Sequence, residues 1–262
     1  MRLSILVLSL ARCGSSALYD KLVRNLDCVG FFEPRNSEDW ENISSEIKEA
    51  DNYVVKSILR PYLSFGENNA LWFDRVVALV RDPRDNLISR LLFRLISPSF
   101  VSNKENISHV YDLLYQKVNN PKEISLVNIF RSMEATKLME SFIDERVEEN
   151  LSLMSEWILT HPEAMVFHYE DLISNQFAKL SEYLGISLEV PMQDVPRIKR
   201  AGGRGEWREW FTPEDVNFFR PRMMHFMERF GYRGNWDLAD APIIDPSTSL
   251  DYINQHIASS GF

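Results

Sequence analysis

Short apolar runs alternate with amphipathic ones through the first third of the chain, and this alternation narrows the fold more than any other feature. Residues 3–10 form an unbroken, β-rich apolar run, the pattern of a strand covered on both faces. Residues 15–26 follow with Ala17, Leu18, Leu22, Val23 and Leu26 at helical spacing. Residues 28–32, 53–58 and 75–80 read as further strands. Residues 37–50 are polar and acidic, with Ser37 as a candidate N-cap. Pro83 opens a helix that runs to about residue 95. Strands alternating with helices imply a parallel sheet with right-handed crossovers.

The rest of the chain extends that plan. From 109 to 161 the periodicity is helical, so a helical insertion is expected over about 96–160. The acidic run 140–150 reads as a solvated helix face. Residues 164–167 return as a strand, followed by a helix over about 170–183. Residues 190–205 are rich in Pro, Gly and Arg and read as a loop. Thr212 is the expected N-cap of a last long helix, with Pro213 at its first position. Neither an internal repeat nor a separating linker is visible. The expectation is one α/β domain over residues 1–262, its central parallel sheet flanked by helices.

Composition removes several classes. Basic residues number 29 against 38 acidic, a net charge of −9, which argues against a nucleic-acid partner. The longest apolar run, Leu3 to Ala11, is far below the ~20 residues a membrane span requires. It has the look of a signal segment behind Arg2, but Arg12 stands where a small residue is needed and no A-x-A site is present. A cytoplasmic protein is therefore expected. Cys13 and Cys28 are the only cysteines, too few for a disulfide scaffold, and free thiols are expected.

Three segments carry chemistry. The first is Leu10-Ala11-Arg12-Cys13-Gly14-Ser15-Ser16, between the first strand and first helix. Such a P-loop-like turn offers backbone N–H groups and a positive dipole end to an anion, and Arg12 adds a guanidinium. The Walker pattern is absent. The plain alternative is a Ser-capped helix after a tight turn. The second segment ends a strand at Arg81, starts a helix at Pro83 and carries Ser89 on it. Arg81 is at the carboxyl end of a strand, where open α/β sheets bind ligands. For Arg84, Arg90 and Arg94, exposure or pairing with nearby Asp is the expectation. The third segment, 197–208, sets Arg197, Lys199, Arg200, Arg204 and Arg208 among Gly202, Gly203 and Gly205. Glycine lets backbone approach an anion and Arg forks match phosphate oxygens, so a loop over about 196–212 that closes on a phosphorylated ligand is expected.

In this order the three segments resemble the sulfotransferases that use 3′-phosphoadenosine 5′-phosphosulfate (PAPS). The resemblance covers roughly residues 3–35, 53–95 and 164–236. Arg12, Gly14, Ser15 and Ser16 match the family's 5′-phosphosulfate loop, with Cys13 inside it. Arg81 and Ser89 have the spacing of its 3′-phosphate pair. Arg200, Gly202, Gly205, Glu206, Trp207, Phe211 and Thr212 fit its late loop, and Tyr169 to Leu172 its Tyr-Glu-Asp-Leu. Cytosolic members usually carry Lys where Arg12 stands, an aromatic where Ala17 stands, and a catalytic His two residues after a strand lysine. Here Lys56 is present but Ile58 takes the His position. Other branches use a Glu just after the second strand, and Glu33 matches it.

The resemblance implies transfer of a sulfuryl group from PAPS to a hydroxyl by in-line displacement, without metal. Glu33 is the implied base, and burial beside Phe31 and Phe32 is expected to raise its pKa. Arg12 and Lys56 complete the catalytic set. Cys13, Gly14, Ser15, Ser16, Arg81, Ser89, Tyr169, Arg200, Gly202 and Gly203 would bind the nucleotide, giving PAP as product. Tyr169 and Trp207 are either neighbours of adenine or plain core. The acceptor is a small-molecule, glycan or lipid hydroxyl that the sequence leaves open, as it does the oligomeric state. Tyr62, Phe65, Trp72, Phe100, Tyr111 and Tyr115 either line its pocket or fill the core. Two alternatives are a non-catalytic nucleotide-binding protein and a small-molecule kinase of similar architecture.

Overall fold

A computed structural model describes residues 3–47, 52–66, 73–101, 104–136, 142–191, 204–232 and 234–259. In chain order these form β1 (Leu3–Ser9), α1 (Ser15–Leu26), β2 (Val29–Phe32), α2 (Ser37–Glu46), β3 (Asn52–Ile58), α3 (Leu59–Pro61), β4 (Arg75–Val80), α4 (Pro83–Leu95), α5 (Pro98–Val101), α6 (Lys104–Asn119), α7 (Leu126–Ala135), α8 (Val147–Thr160), β5 (Met165–His168), α9 (Tyr169–Ile173), α10 (Ala178–Leu184), α11 (Trp207–Trp210), α12 (Pro213–Arg229) and α13 (Leu250–Ser259). Wide helical turns at Tyr62–Gly66 and Phe142–Arg146 and a short 3-10 turn at Pro246–Thr248 complete the set. No helix among the described residues is long and apolar enough to cross a membrane.

The fold is α/β. Five strands pair in parallel in the order β2-β3-β1-β4-β5. Every residue of β1 is buried, as its continuous apolar run requires of a central strand. β2 is different: it lies at the sheet edge and three of its four residues are exposed.

Contacts divide the chain into two compact units: residues 1–81 with 154–199, and 82–153 with 200–262. The first holds the whole sheet. α1 packs on β1 and β3, and α9 and α10 pack on β5. The start of β1 is tied to β4 by the Asp74 carboxylate, which accepts from Ser4 N and Ser4 Oγ, both at 2.8 Å. Tyr62 is fully buried between Trp40 and Trp157, so it serves the core. Phe65 is exposed.

The second unit is helical. Its N-terminal turn, Asp82 to Asp85, is buried. Arg84 pairs with Asp82 through two hydrogen bonds at 2.9 and 2.7 Å, donates to Asn235 O and lies over the Trp207 and Trp236 rings. The expected Asp pairing is present, in the interior rather than on the surface. Trp207 is accordingly core. Asp215 is also fully buried. It accepts from Thr212 N at 2.8 Å and Thr212 Oγ1 at 3.0 Å, closing the capping box of α12, and from Val127 N at 2.9 Å in the first turn of α7. Phe100 fills the core here, Tyr111 donates to Leu95 O, and Tyr115 is exposed. Trp72 lies outside the described residues.

Candidate functional site

The first site element is the turn from β1 into α1. Arg12 (φ 68°) and Gly14 (φ 89°) both take left-handed backbone; glycine does so freely, but for Arg12 it is a strain of the kind functional loops store. Gly14 is the N-cap of α1, and no side chain caps the helix. The Ser-capped alternative is therefore not what forms: the first N–H groups of α1 lack intrahelical partners and carry the positive end of the dipole. Ser15 and Cys13 are buried, and Ser16 is half-buried.

Gly14 is also pressed against Tyr169, the first residue of α9. A Cβ on Gly14 would come within 2.5 Å of Tyr169 Cδ2. Gly14→Ala would combine that clash with positive φ, and an expected loss of ~1–3 kcal/mol is readable as a lower midpoint in thermal unfolding.

Arg81 closes the turn from the far side. It is 6 % exposed at the end of β4. Its Nη1 donates to Arg12 O at 2.9 Å, and its guanidinium lies 4.2 Å from the Tyr169 ring centroid. Arg81 thus holds the loop's main chain while being held by an aromatic face. Its Nε and the Oγ of Ser9 are buried without a hydrogen-bond partner among the described residues, a debt that a polar ligand would settle.

The second element joins β2 and β3. Glu33 follows β2 with φ 52°, and its N–H continues the ladder to Lys56 O at 2.8 Å. Lys56 is buried on β3, and its ammonium donates to Glu33 Oε1. Glu33 Oε2 lies 3.9 Å from Arg35 Nη2, beyond hydrogen-bond reach. Burial pushes the Lys56 pKa down. Glu33 opposes that shift, whereas Arg12 and Arg35 add to it. Lys56 and Arg35 thus flank the Glu33 carboxylate beyond the carboxyl ends of β2 and β3, and Arg12, beyond the end of β1, is close enough to Lys56 to disfavour its charge. The surroundings expected for Glu33 need correcting on one point: its carboxylate meets Lys56 and Arg35 rather than an apolar pocket, because Phe32 turns its ring to solvent.

Arg12, Gly14, Ser15, Ser16, Glu33, Lys56, Arg81 and Tyr169 therefore all belong to the sheet-bearing unit. Ser89 is buried on α4 in the other unit. Arg200, Gly202 and Gly203 lie outside the described residues. Just after them, Gly205 N and Trp207 N donate to Asp85 at 2.7 and 3.0 Å. Two residues escaped the sequence reading. Arg35 is signalled only by its place two residues after Glu33, and Asp85 only by its place in the first turn of a helix. Among the described residues, no three His, Cys, Asp or Glu side chains gather as metal ligands.

No family model and no curated protein matches the chain in sequence. Its fold is similar to that of mouse sulfotransferase SULT7A1, solved in complex with PAP, with a TM-score of 0.56 and 12 % identity over 86 % of this chain and 84 % of that one. At that identity the likeness is one of fold: the chain has a sulfotransferase-like α/β architecture.

Proposed function

We propose that this chain transfers a sulfuryl group from PAPS to the hydroxyl of an acceptor. The observation that carries the reading is the Lys56–Glu33 pair, with Arg35 at its edge, on strand ends of the same sheet as the β1–α1 turn, whose helix N-terminus has no side-chain cap and whose Arg12 carbonyl is held by buried Arg81. The α1 amides, with Ser15 and Ser16, suit the 5′-phosphosulfate. Arg81 suits the 3′-phosphate, since its buried Nε has no hydrogen-bond partner among the described residues; Ser89 is assigned there by sequence spacing alone.

Sulfuryl transfer, like phosphoryl transfer, is governed by positioning and charge stabilisation. The acceptor oxygen bonds to sulfur as the sulfur–phosphate oxygen bond breaks. Arg12 and Lys56 neutralise charge on the oxygens of the group in flight. Glu33 takes the hydroxyl proton on Oε2, the oxygen that Lys56 leaves free. PAP and the sulfated acceptor are the products.

The test is ligand-induced thermal stabilisation by PAP against Mg-ATP, with transfer of labelled sulfate as the second readout. PAP should stabilise and Mg-ATP should not; the reverse would favour the kinase alternative. Arg81→Ala should weaken PAP by about 10–100-fold, the worth of a charged hydrogen bond. It should weaken adenosine 5′-phosphosulfate, which lacks the 3′-phosphate, much less. Equal losses would mean that Arg81 serves the loop alone.

A further inference from the structure

The surroundings of Glu33 bear on which hydroxyl compound it receives. Phe32, its neighbour at the end of the edge strand, is 53 % exposed. The ring is nevertheless fixed. Tyr19 meets it in a T-shaped contact at 5.4 Å between centroids, and Lys56 Nζ lies 4.4 Å from its centre. The ring therefore stands over the ammonium that holds the carboxylate, and the rest of its apolar surface is open to solvent. An exposed phenylalanine alone is ordinary; one locked against a charged, reactive pair is a platform.

Arg35 supplies the second feature. Its side chain is 79 % exposed, and its nearest carboxylate, Glu33, is 3.9 Å away. The other nearby acid is already engaged, since Asp39 Oδ2 accepts from Arg35's own N–H at 2.6 Å. Lys56 and Arg35 thus face Glu33 and Asp39 here, and with Lys56 buried the exposed Arg35 guanidinium is the cation this corner presents to solvent, although the whole chain is acidic at −9.

We infer that Phe32 and Arg35 form an acceptor subsite for a hydroxylated aromatic compound bearing an anionic group. Its ring packs against Phe32, its anion meets Arg35, and its hydroxyl reaches Glu33. This rests on the sulfotransfer reading and adds the acceptor class to it. The Arg35 guanidinium is a fork suited to a carboxylate, and like charge at the same place is repelled.

The experiment uses three phenols of similar size on the full chain: 4-hydroxyphenylacetate, 4-ethylphenol and tyramine. Binding is read by calorimetry with and without PAP, and turnover with PAPS. The expected order is anion, then neutral, then cation. The span between first and last is about tenfold at low salt, and it narrows as salt screens Arg35. Arg35→Glu should reverse the order. Phe32→Ala should weaken all three alike. Equal binding of the three phenols, or an order untouched by Arg35→Glu, would overturn the subsite even if PAP binds. Ranked phenols without PAP binding would sink the sulfotransfer reading and leave the subsite standing.

Discussion

Glu33→Gln is expected to lower sulfuryl transfer by about 10²–10⁴-fold, the usual worth of a positioned base, while PAP still binds with nearly its original affinity. The side chain keeps its length, and an amide oxygen can still accept from Lys56. What it loses is the capacity to take a proton on the atom that faces the acceptor. Arg81 and the β1–α1 turn, the parts proposed to hold the nucleotide, lie beyond the ends of other strands, so the loss should fall on kcat in the main. Unchanged turnover would remove Glu33 from the role. Turnover and PAP affinity falling together would mean instead that the variant has disturbed the loop at Arg12. Lys56→Met separates the two further. It leaves the carboxylate but removes the cation that fixes it, so its activity should fall without restoring the Glu33→Gln loss in the double variant.

Asp215→Ala should cost about 3–5 kcal/mol of stability, the range for removing one partner from a buried charged network. The carboxylate is fully buried and joins the first turns of α7 and α12 through Val127 N, Thr212 N and Thr212 Oγ1. Alanine would leave buried donors with no acceptor. It would also strip Lys117 of its favourable charge: burial has already pushed that lysine down to about 8, with Asp215 opposing the shift. Denaturant unfolding should show a lower midpoint at unchanged slope. Asp215→Asn keeps one acceptor and should lose less. A change below about 1 kcal/mol, the size of an average substitution, would show that the two helix starts are held by packing.

Much of this architecture is legible in the chain itself. The apolar run from Leu3 becomes the central strand, buried along its whole length between β3 and β4 with α1 packed on it. Helix α1 spans Ser15–Leu26 and α4 spans Pro83–Leu95, matching the sequence reading, since glycine and proline punctuate both. Thr212 and Pro213 open α12 as their chemistry demands. Other features depend on tertiary context. The helix expected over 170–183 divides into α9 and α10 around Asn175, whose φ of 54° breaks the regular backbone. The N-cap of α2 is Asn36, one residue before the expected Ser37, because its side chain accepts from Asp39 N. The pairing of Glu33 with Lys56 crosses 23 positions and follows from strand order, which local periodicity does not contain.

The edge position of β2 has a consequence for how the margin of the sheet holds its shape. A rim strand is hydrogen-bonded along one side only, so its end would ordinarily wander. Here the contact between Glu33 and Lys56 acts as a stitch that sews the hem to the fabric behind it. Breaking it removes a charge and also frees the border on which Phe32 and Arg35 ride. In stability, though not in turnover, positions 33 and 56 should therefore tolerate change together better than one at a time.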